Sequence, residues 1–289
     1  MSETVTKPDT DSLIRAVAEG LRARNVVPYI GPGAFASLAD GTCPIPRNSA
    51  ELVQRLNAKV AAPGRIRSNL TAVAQFIETR RHRKTLDTIM TEIFRREVPS
   101  TPVHRFVASL PTPPLVVDVW YDDLLEKLLA TDTSRTWGQI QGISHPQSSG
   151  EWVRHYAPDG SAVGAEAAEA WQTILYKPSG GASPAANFLV SDSDYVEILT
   201  EIDIQTPIPP VVKDRRAGRN FLFLGCRFDH EIQRTFARQI AKRSADAHWA
   251  VIVEEPSRNE QRFLDQHGIT RIELPLDEAV ERLTAALAG

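Results

Sequence analysis

Apolar residues recur along this chain in two ways, at helical spacing in some stretches and as short continuous runs in others, and the alternation predicts its elements. Leu13, Ile14, Val17, Ala18 and Leu21 share one helical face behind Asp11, whose carboxylate suits a helix start. Residues 26–30 form an apolar run that empties into Gly31-Pro32-Gly33, the pattern of a core strand ending in a turn. Helical spacing then holds over 50–60, 70–79, 86–94 and 102–110, where Pro111, Pro113 and Pro114 stop it. A β-branched run at 115–119 ends in Trp120, Tyr121, Asp122 and Asp123, and Leu124, Leu125, Leu128 and Leu129 begin another helix. Between 133 and 164 neither period holds, so that stretch reads as a long ordered loop or a small excursion of short strands. A strand resumes at Ile174, with helices near 193–201 and 209–217. The last third alternates cleanly, strands at 221–224, 249–253 and 270–274 between helices at 231–241, 259–266 and 276–287. Such alternation predicts an α/β fold with a parallel sheet covered on both faces. The expected division is a tail and helix over 1–25 and one domain over 26–289, with a helical insertion at 50–110 and an irregular one at 133–173.

Composition narrows the function classes. With 289 residues, 42% hydrophobic, the chain can bury a sizeable core, and a formal charge of −3 gives no electrostatic case for nucleic-acid binding. Arg80, Arg81, Arg83 and Lys84 form one short basic run, read as a solvated helix end. Residues 1–11 are polar, and no apolar run approaches the roughly 18 residues of a membrane span, so a cytoplasmic protein is expected. Cys43 and Cys226 are too few and too far apart for a disulfide framework or a thiolate zinc site, and no metal-ligand spacing occurs elsewhere.

Three strand ends carry the candidate chemistry. Gly31-Pro32-Gly33 suits a phosphate approaching backbone amides at a helix start, although Pro32 removes one donor and a plain turn explains the glycines equally well. The run Phe221-Leu222-Phe223-Leu224 leads to Gly225, Cys226, Arg227 and Asp229, a second wall of the same crevice, with Asp229 expected to cap the next helix. The third is Trp120 to Asp123, at the carboxyl end of its strand, where ligands collect in open α/β sheets. Adjacent Asp122 and Asp123 point about 100° apart at a helix start and read as one cap and one solvated acid, not a catalytic pair.

Together with Lys177-Pro178-Ser179-Gly180-Gly181, these segments resemble the Sir2-like family, in particular its zinc-free bacterial branch. The family's Gly-Ala-Gly-x-Ser loop is matched by Gly31, Pro32, Gly33, Ala34 and Phe35. Its Thr-Thr-Asn-Tyr-Asp-Asp-Leu-Leu-Glu motif is matched by Asp118 through Glu126, its Lys-x-His-Gly-Ser by Lys177 through Gly181, and its Phe-Leu-Gly-Tyr-Ser by Phe223 through Arg227. The resemblance covers residue 26 to the C-terminus and implies a Rossmann-like parallel sheet of Sir2 type with a helical insertion after the first strand.

It also implies cleavage of the nicotinamide bond of NAD, by an asparagine beside the ribose and a histidine base. Here those positions hold Trp120 and Ser179, and an unactivated serine does not replace an imidazole as base. Phe35 and Arg227 add bulk where the family has serine. His104 reads as a structural histidine, while His145 and His155, in the irregular insertion, are the candidates for a substitute base. The implied nucleotide contacts are Gly31, Gly33, Asp122, Gly225, Cys226, Arg227 and the strand-end Glu254. The reading that follows is a catalytically inactive protein that binds NAD or ADP-ribose, a protein partner, or both, in a sensing or regulatory role, with no metal. One alternative is an NAD glycohydrolase of the bacterial defence type with an atypical base. Another is a pure interaction scaffold, homo-oligomer included, using Trp137, Trp152 and Trp171 as an interface, although tryptophans are more often buried.

Overall fold

The computed structural model describes residues 9–39, 41–144, 151–204 and 208–289, with the backbone alone over 200–204. Helix α1 (Thr10–Arg22) starts earlier than its apolar stripe implies, because Asp9 is the N-cap and accepts from the Ser12 amide at 2.8 Å, which leaves Asp11 in the first turn. Strand β1 (Val26–Ile30) is followed by a tight 3-10 turn at Pro32–Phe35 and by α2 (Ser49–Lys59), α3 (Leu70–Arg81), α4 (Arg83–Phe94) and α5 (Pro102–Ser109). Next come β2 (Leu115–Asp118), α6 (Leu124–Leu129), β3 (Trp137–Gly142), β4 (Val153–Tyr156), β5 (Ala162–Val163), β6 (Thr173–Lys177) and the hairpin β7 (Gly180–Gly181) and β8 (Asn187–Phe188). The chain ends with α7 (Asp192–Ile204), α8 (Pro210–Arg216), β9 (Asn220–Leu224), α9 (Glu231–Ala241), β10 (His248–Val251), α10 (Arg258–Gln266), β11 (Ile269–Ile272) and α11 (Leu276–Ala288). No described helix is long and apolar enough to cross a membrane.

The main sheet has nine strands in the order β11-β10-β9-β1-β2-β6-β3-β4-β5. Each neighbouring pair from β11 through β3 is parallel, while β4 and β5 run antiparallel at one edge. Every residue of β1 and β2 is buried, and alternate side chains go to opposite faces. Val27, Tyr29 and Val117 join one apolar cluster, and Val26, Ile30 and Val116 the other. Helices on both faces therefore explain why these strands read as unbroken apolar runs.

The irregular insertion is an excursion of strands, and its first strand belongs to the parallel sheet. All six residues of β3 are buried although four of them are glycine or glutamine. Gly138 leaves room for the Trp171 ring, with which a Cβ would collide. The side-chain amide of Gln139 donates to Ser183 O at 3.1 Å, and that of Gln141 to Ala185 O at 2.7 Å. Buried glutamines that tie down a neighbouring loop have no apolar signature. Trp137 and Trp171 are buried in different apolar clusters and Trp152 is half-buried against the one that holds Trp171, so these rings are packing residues and not an exposed interface.

Helices α2, α3 and α4 form a layer of their own, whose core gathers Phe35, Leu52, Ile77, Phe94, Trp120 and Phe188. α5 instead joins α1 and α11 over the sheet. The basic run at the α3–α4 junction is not uniformly solvated, which corrects that expectation. Arg83 bridges to Asp194 at 2.8 Å and Asp87 at 2.9 Å, and also donates to Phe188 O and to Ser144 Oγ at 2.9 Å. The Asp194 side chain is fully buried, so this guanidinium fastens the helical layer to the start of α7.

Candidate functional site

From β1 the chain reaches β2 on one side of the sheet and later β9 on the other, so the carboxyl end of β1 is a topological switch point. A cavity of about 420 Å³ opens there, with the helical layer on its far side.

Four helices begin at this cavity. Ser49 and Ala50 come from the first turn of α2, and Asn69, Leu70 and Thr71 from the start of α3. Asp192 and Tyr195 come from the first turn of α7, and His230, Glu231 and Gln233 from the start of α9. Asn48 caps α2 at 2.9 Å and Asn69 caps α3 at 3.0 Å, both with neutral amides. The N-cap of α9 is His230, whose side chain makes no capping bond, and Asp229 does not cap that helix as expected. Helix starts present partial positive charge and amide donors, so their convergence favours an anionic ligand. The carboxylates of Asp192 and Glu231 offset part of that field.

The glycines at the switch point serve the chain first. Gly31 N donates to Leu224 O at 2.9 Å, Gly33 N to Gly225 O at 2.8 Å and Ala34 N to Gly31 O at 3.1 Å. A Cβ on Gly31 would lie 2.6 Å from Gly225 O, and one on Gly33 2.8 Å from it. Gly225 has φ +65°, and a Cβ there would collide with Ala34 N. These residues let the loops after β1 and β9 cross in contact, and the amides of Gly31 and Gly33 are already used. Gly31 reaches the cavity wall, whereas Gly33 and Gly225 lie behind it.

The opposite wall comes from β2 and β6. Trp120 is 4% exposed, its indole N–H donates to Pro46 O at 2.9 Å, and its ring packs edge-on against Phe94 at 5.5 Å. Beside it Tyr121 O–H donates to Leu189 O at 2.8 Å. Ser179, also buried, shares this cavity lining with Tyr121 and Tyr195. Burial raises the Tyr195 phenol to about 12 and pushes the Tyr29 and Tyr121 phenols and the Cys226 thiol up as well. The inner wall is thus lined by hydroxyls and a thiol that keep their protons at neutral pH.

Arg227 stands at the rim on the β9 side. Its guanidinium holds both oxygens of Glu260 at 3.0 Å and reaches exposed Glu254 at 3.3 Å. Burial works to raise the Glu260 carboxyl, but hydrogen bonds from Arg227 and from the Ser257 and Phe228 amides outweigh it and bring it to about 2. Glu254 touches the site only through Arg227, and Phe35 points into the helical-layer core against His104.

Asp122 is 1% exposed and lies behind the wall, not in it. It accepts from Leu124 N at 3.0 Å, while Asp123 is partly buried and pairs with Lys127 at 3.0 Å, so neither is the solvated acid expected. His104 is sealed against Thr101, and burial lowers it to about 4. His155 lies on β4 away from the cavity, and His145 falls outside the described residues. The imidazole at the cavity is His230, at its mouth, with Nε2 3.8 Å from Asp229. Sequence reading missed it, together with Asn69. Their position at helix starts is visible in the sequence, but nothing there shows that the starts meet. Among the described residues no group of three or more His, Cys, Asp and Glu is placed to hold a metal ion.

The domain family described as SIR2-like domain matches residues 114–272, from the residue before β2 to the end of β11. Three of the four motif resemblances lie inside that span, and the Gly31–Gly33 loop lies outside it. No curated protein matches the chain.

Proposed function

The chain belongs to the SIR2-like domain family, and from that premise we propose that its cavity binds an NAD-type nucleotide, NAD or ADP-ribose, without cleaving it. The observation that carries this reading is the convergence of four helix N-termini on one cavity beside Arg227. Diphosphate is the part of such a ligand that helix starts and a guanidinium suit best. The starts of α9 and Arg227 would hold it, and Trp120 and Ser179 would face the inner end.

Two features support binding without turnover. Cleavage of an N-glycosidic bond by water or an acceptor is accelerated by a positioned group that takes a proton near neutral pH. Among the described residues, the inner wall beside Trp120 offers phenols, a serine and a thiol that stay protonated. The indole also occupies the family's asparagine position and is held by Pro46, so it does not turn aside for a ribose. A protein of this kind acts through its bound state, in sensing or regulation, with a partner that reads that state.

Calorimetric titration of NAD and of ADP-ribose, with nicotinamide assayed in the same cell, tests the proposal. Saturable heat without nicotinamide is expected, and sustained heat with nicotinamide release would overturn it. One observation favours an NAD hydrolase as the second reading: His230 lies at the cavity mouth next to Asp229. That reading predicts release that disappears in His230→Gln.

A further inference from the structure

Behind the Trp120–Tyr121 wall lies a group of ionisable side chains that the cavity does not use. Asp118 closes β2, Lys177 closes β6, Asp122 stands before α6, and Glu126 lies in the first turn of α6. Lys177 and Asp118 are fully buried, and the Glu126 side chain is 12% exposed. The Lys177 ammonium donates to Asp118 Oδ2 at 2.7 Å and to Asp122 O at 2.8 Å, with Glu126 Oε1 at 3.7 Å. Asp118 uses its other oxygen on the Trp120 amide at 3.0 Å. Lys177 and Asp118 therefore balance each other, and their bonds hold the backbone of the cavity wall.

Asp122 and Glu126 are surplus to that pair. Among the described residues, Asp122 Oδ2 and both carboxyl oxygens of Glu126 accept no hydrogen bond. Three carboxylates around one ammonium would leave two net negative charges in a closed volume, which a protein interior does not stabilise without further donors. Two protons restore neutrality.

We propose that Asp122 and Glu126 form a proton-binding site, that their neutral carboxyls belong to the folded structure, and that their ionisation loosens the Trp120–Tyr121 wall. Burial pushes Asp122 up to about 7 and Glu126 up to about 8, with Asp118 adding to the effect and Lys177 opposing it. Other groups facing the cluster are His104 on α5, Cys226 in the turn after β9, Tyr29 on β1, whose raised phenol stays neutral, and Asp123, which is paired with Lys127. His104 is lowered to about 4 and the Cys226 thiol is raised, so neither changes charge between neutral and mildly alkaline pH. In the unfolded chain both carboxyls lose their protons near pH 4, as model carboxyls do. The folded state keeps them up to about 7 and about 8. It therefore loses stability as pH rises through that window and levels off above it. Ionised Asp122 and Glu126 compete with Asp118 for the ammonium.

The test compares the full chain with Asp122→Asn, Glu126→Gln and the double variant. Melting temperature is read from about pH 6 to about pH 9, and Trp120 emission is isolated by difference against Trp120→Phe. Buried histidines titrate on unfolding as well, but they are common to all these chains and cancel in the comparison. The wild type should lose several degrees relative to the double variant as pH rises, and Trp120 emission should shift over the same window only where the carboxyls are present. Parallel melting curves would overturn the proton site, and melting curves that diverge with static emission would overturn its link to the wall. Infrared spectroscopy of the wild type needs no variant: a protonated-carboxyl band should persist at neutral pH and vanish on the alkaline side. Its absence at neutral pH would also overturn the proposal.

Discussion

The two walls of the cavity start from the same geometry, parallel strands ending side by side, and are finished in opposite ways. On the β9 side backbone meets backbone at Gly31, Gly33 and Gly225, and the ligand side is left to Arg227 and an α9 start without a side-chain cap. On the β2–β6 side the space is filled by Trp120 and Tyr121, with a lysine and three carboxyls sealed behind them. The difference teaches that motif residues persist for two separable reasons. The glycines are required by the crossing of two loops whether or not a nucleotide binds. At the positions where the resemblance implies asparagine and histidine, Trp120 and Ser179 are buried in the opposite wall.

Five substitutions break or sharpen this contrast. The largest effect belongs to Arg83→Ala, which removes the clamp that holds the helical layer over both walls. It leaves the buried Asp194 carboxylate without this partner, and a loss of about 3–5 kcal/mol in denaturant unfolding is expected. Gly225→Ala attacks the β9 wall alone. A left-handed φ of +65° costs a non-glycine residue about 1–3 kcal/mol, and the clash with Ala34 adds to it, so the variant should melt well below the wild type.

Arg227→Gln should weaken ADP-ribose binding about tenfold, the value of one charge-assisted hydrogen bond. Trp120→Phe should leave that affinity within about twofold and lose about 1 kcal/mol of stability with the Pro46 bond. Equal losses of affinity in these two variants would remove the distinction between the walls. The smallest effect concerns acid. Glu260 lies near 4.3 in an unfolded chain and at about 2 in the folded one, so its contribution is complete at neutral pH. It is lost as pH falls from about 4 toward about 2. Acid unfolding of Glu260→Gln should lack that part of the wild-type slope.

Much of the fold was legible because parallel strands buried on both faces must be apolar at every position, as β1 and β2 are. The helical insertion was legible for the same reason, at helical spacing. β3 was not, since Gly138 is there for the Trp171 ring and Gln139 and Gln141 for loop carbonyls, and none of these roles leaves a pattern in a linear chain. Arg83 shows the same limit. A basic residue in a basic run reads as solvated until Asp194, more than a hundred residues on, is folded against it.

By itself the sequence determined the strand–helix alternation and the glycine turns that follow β1 and β9. These are local or pattern properties, set by side-chain size and backbone freedom. Only the tertiary structure decided that four helix starts meet at one cavity, that Trp120 is pinned to Pro46, and that Asp122 is sealed with Lys177 behind the wall. Each of these depends on groups from distant segments sharing one small volume, where burial and charge act over a few ångströms and chain separation counts for nothing.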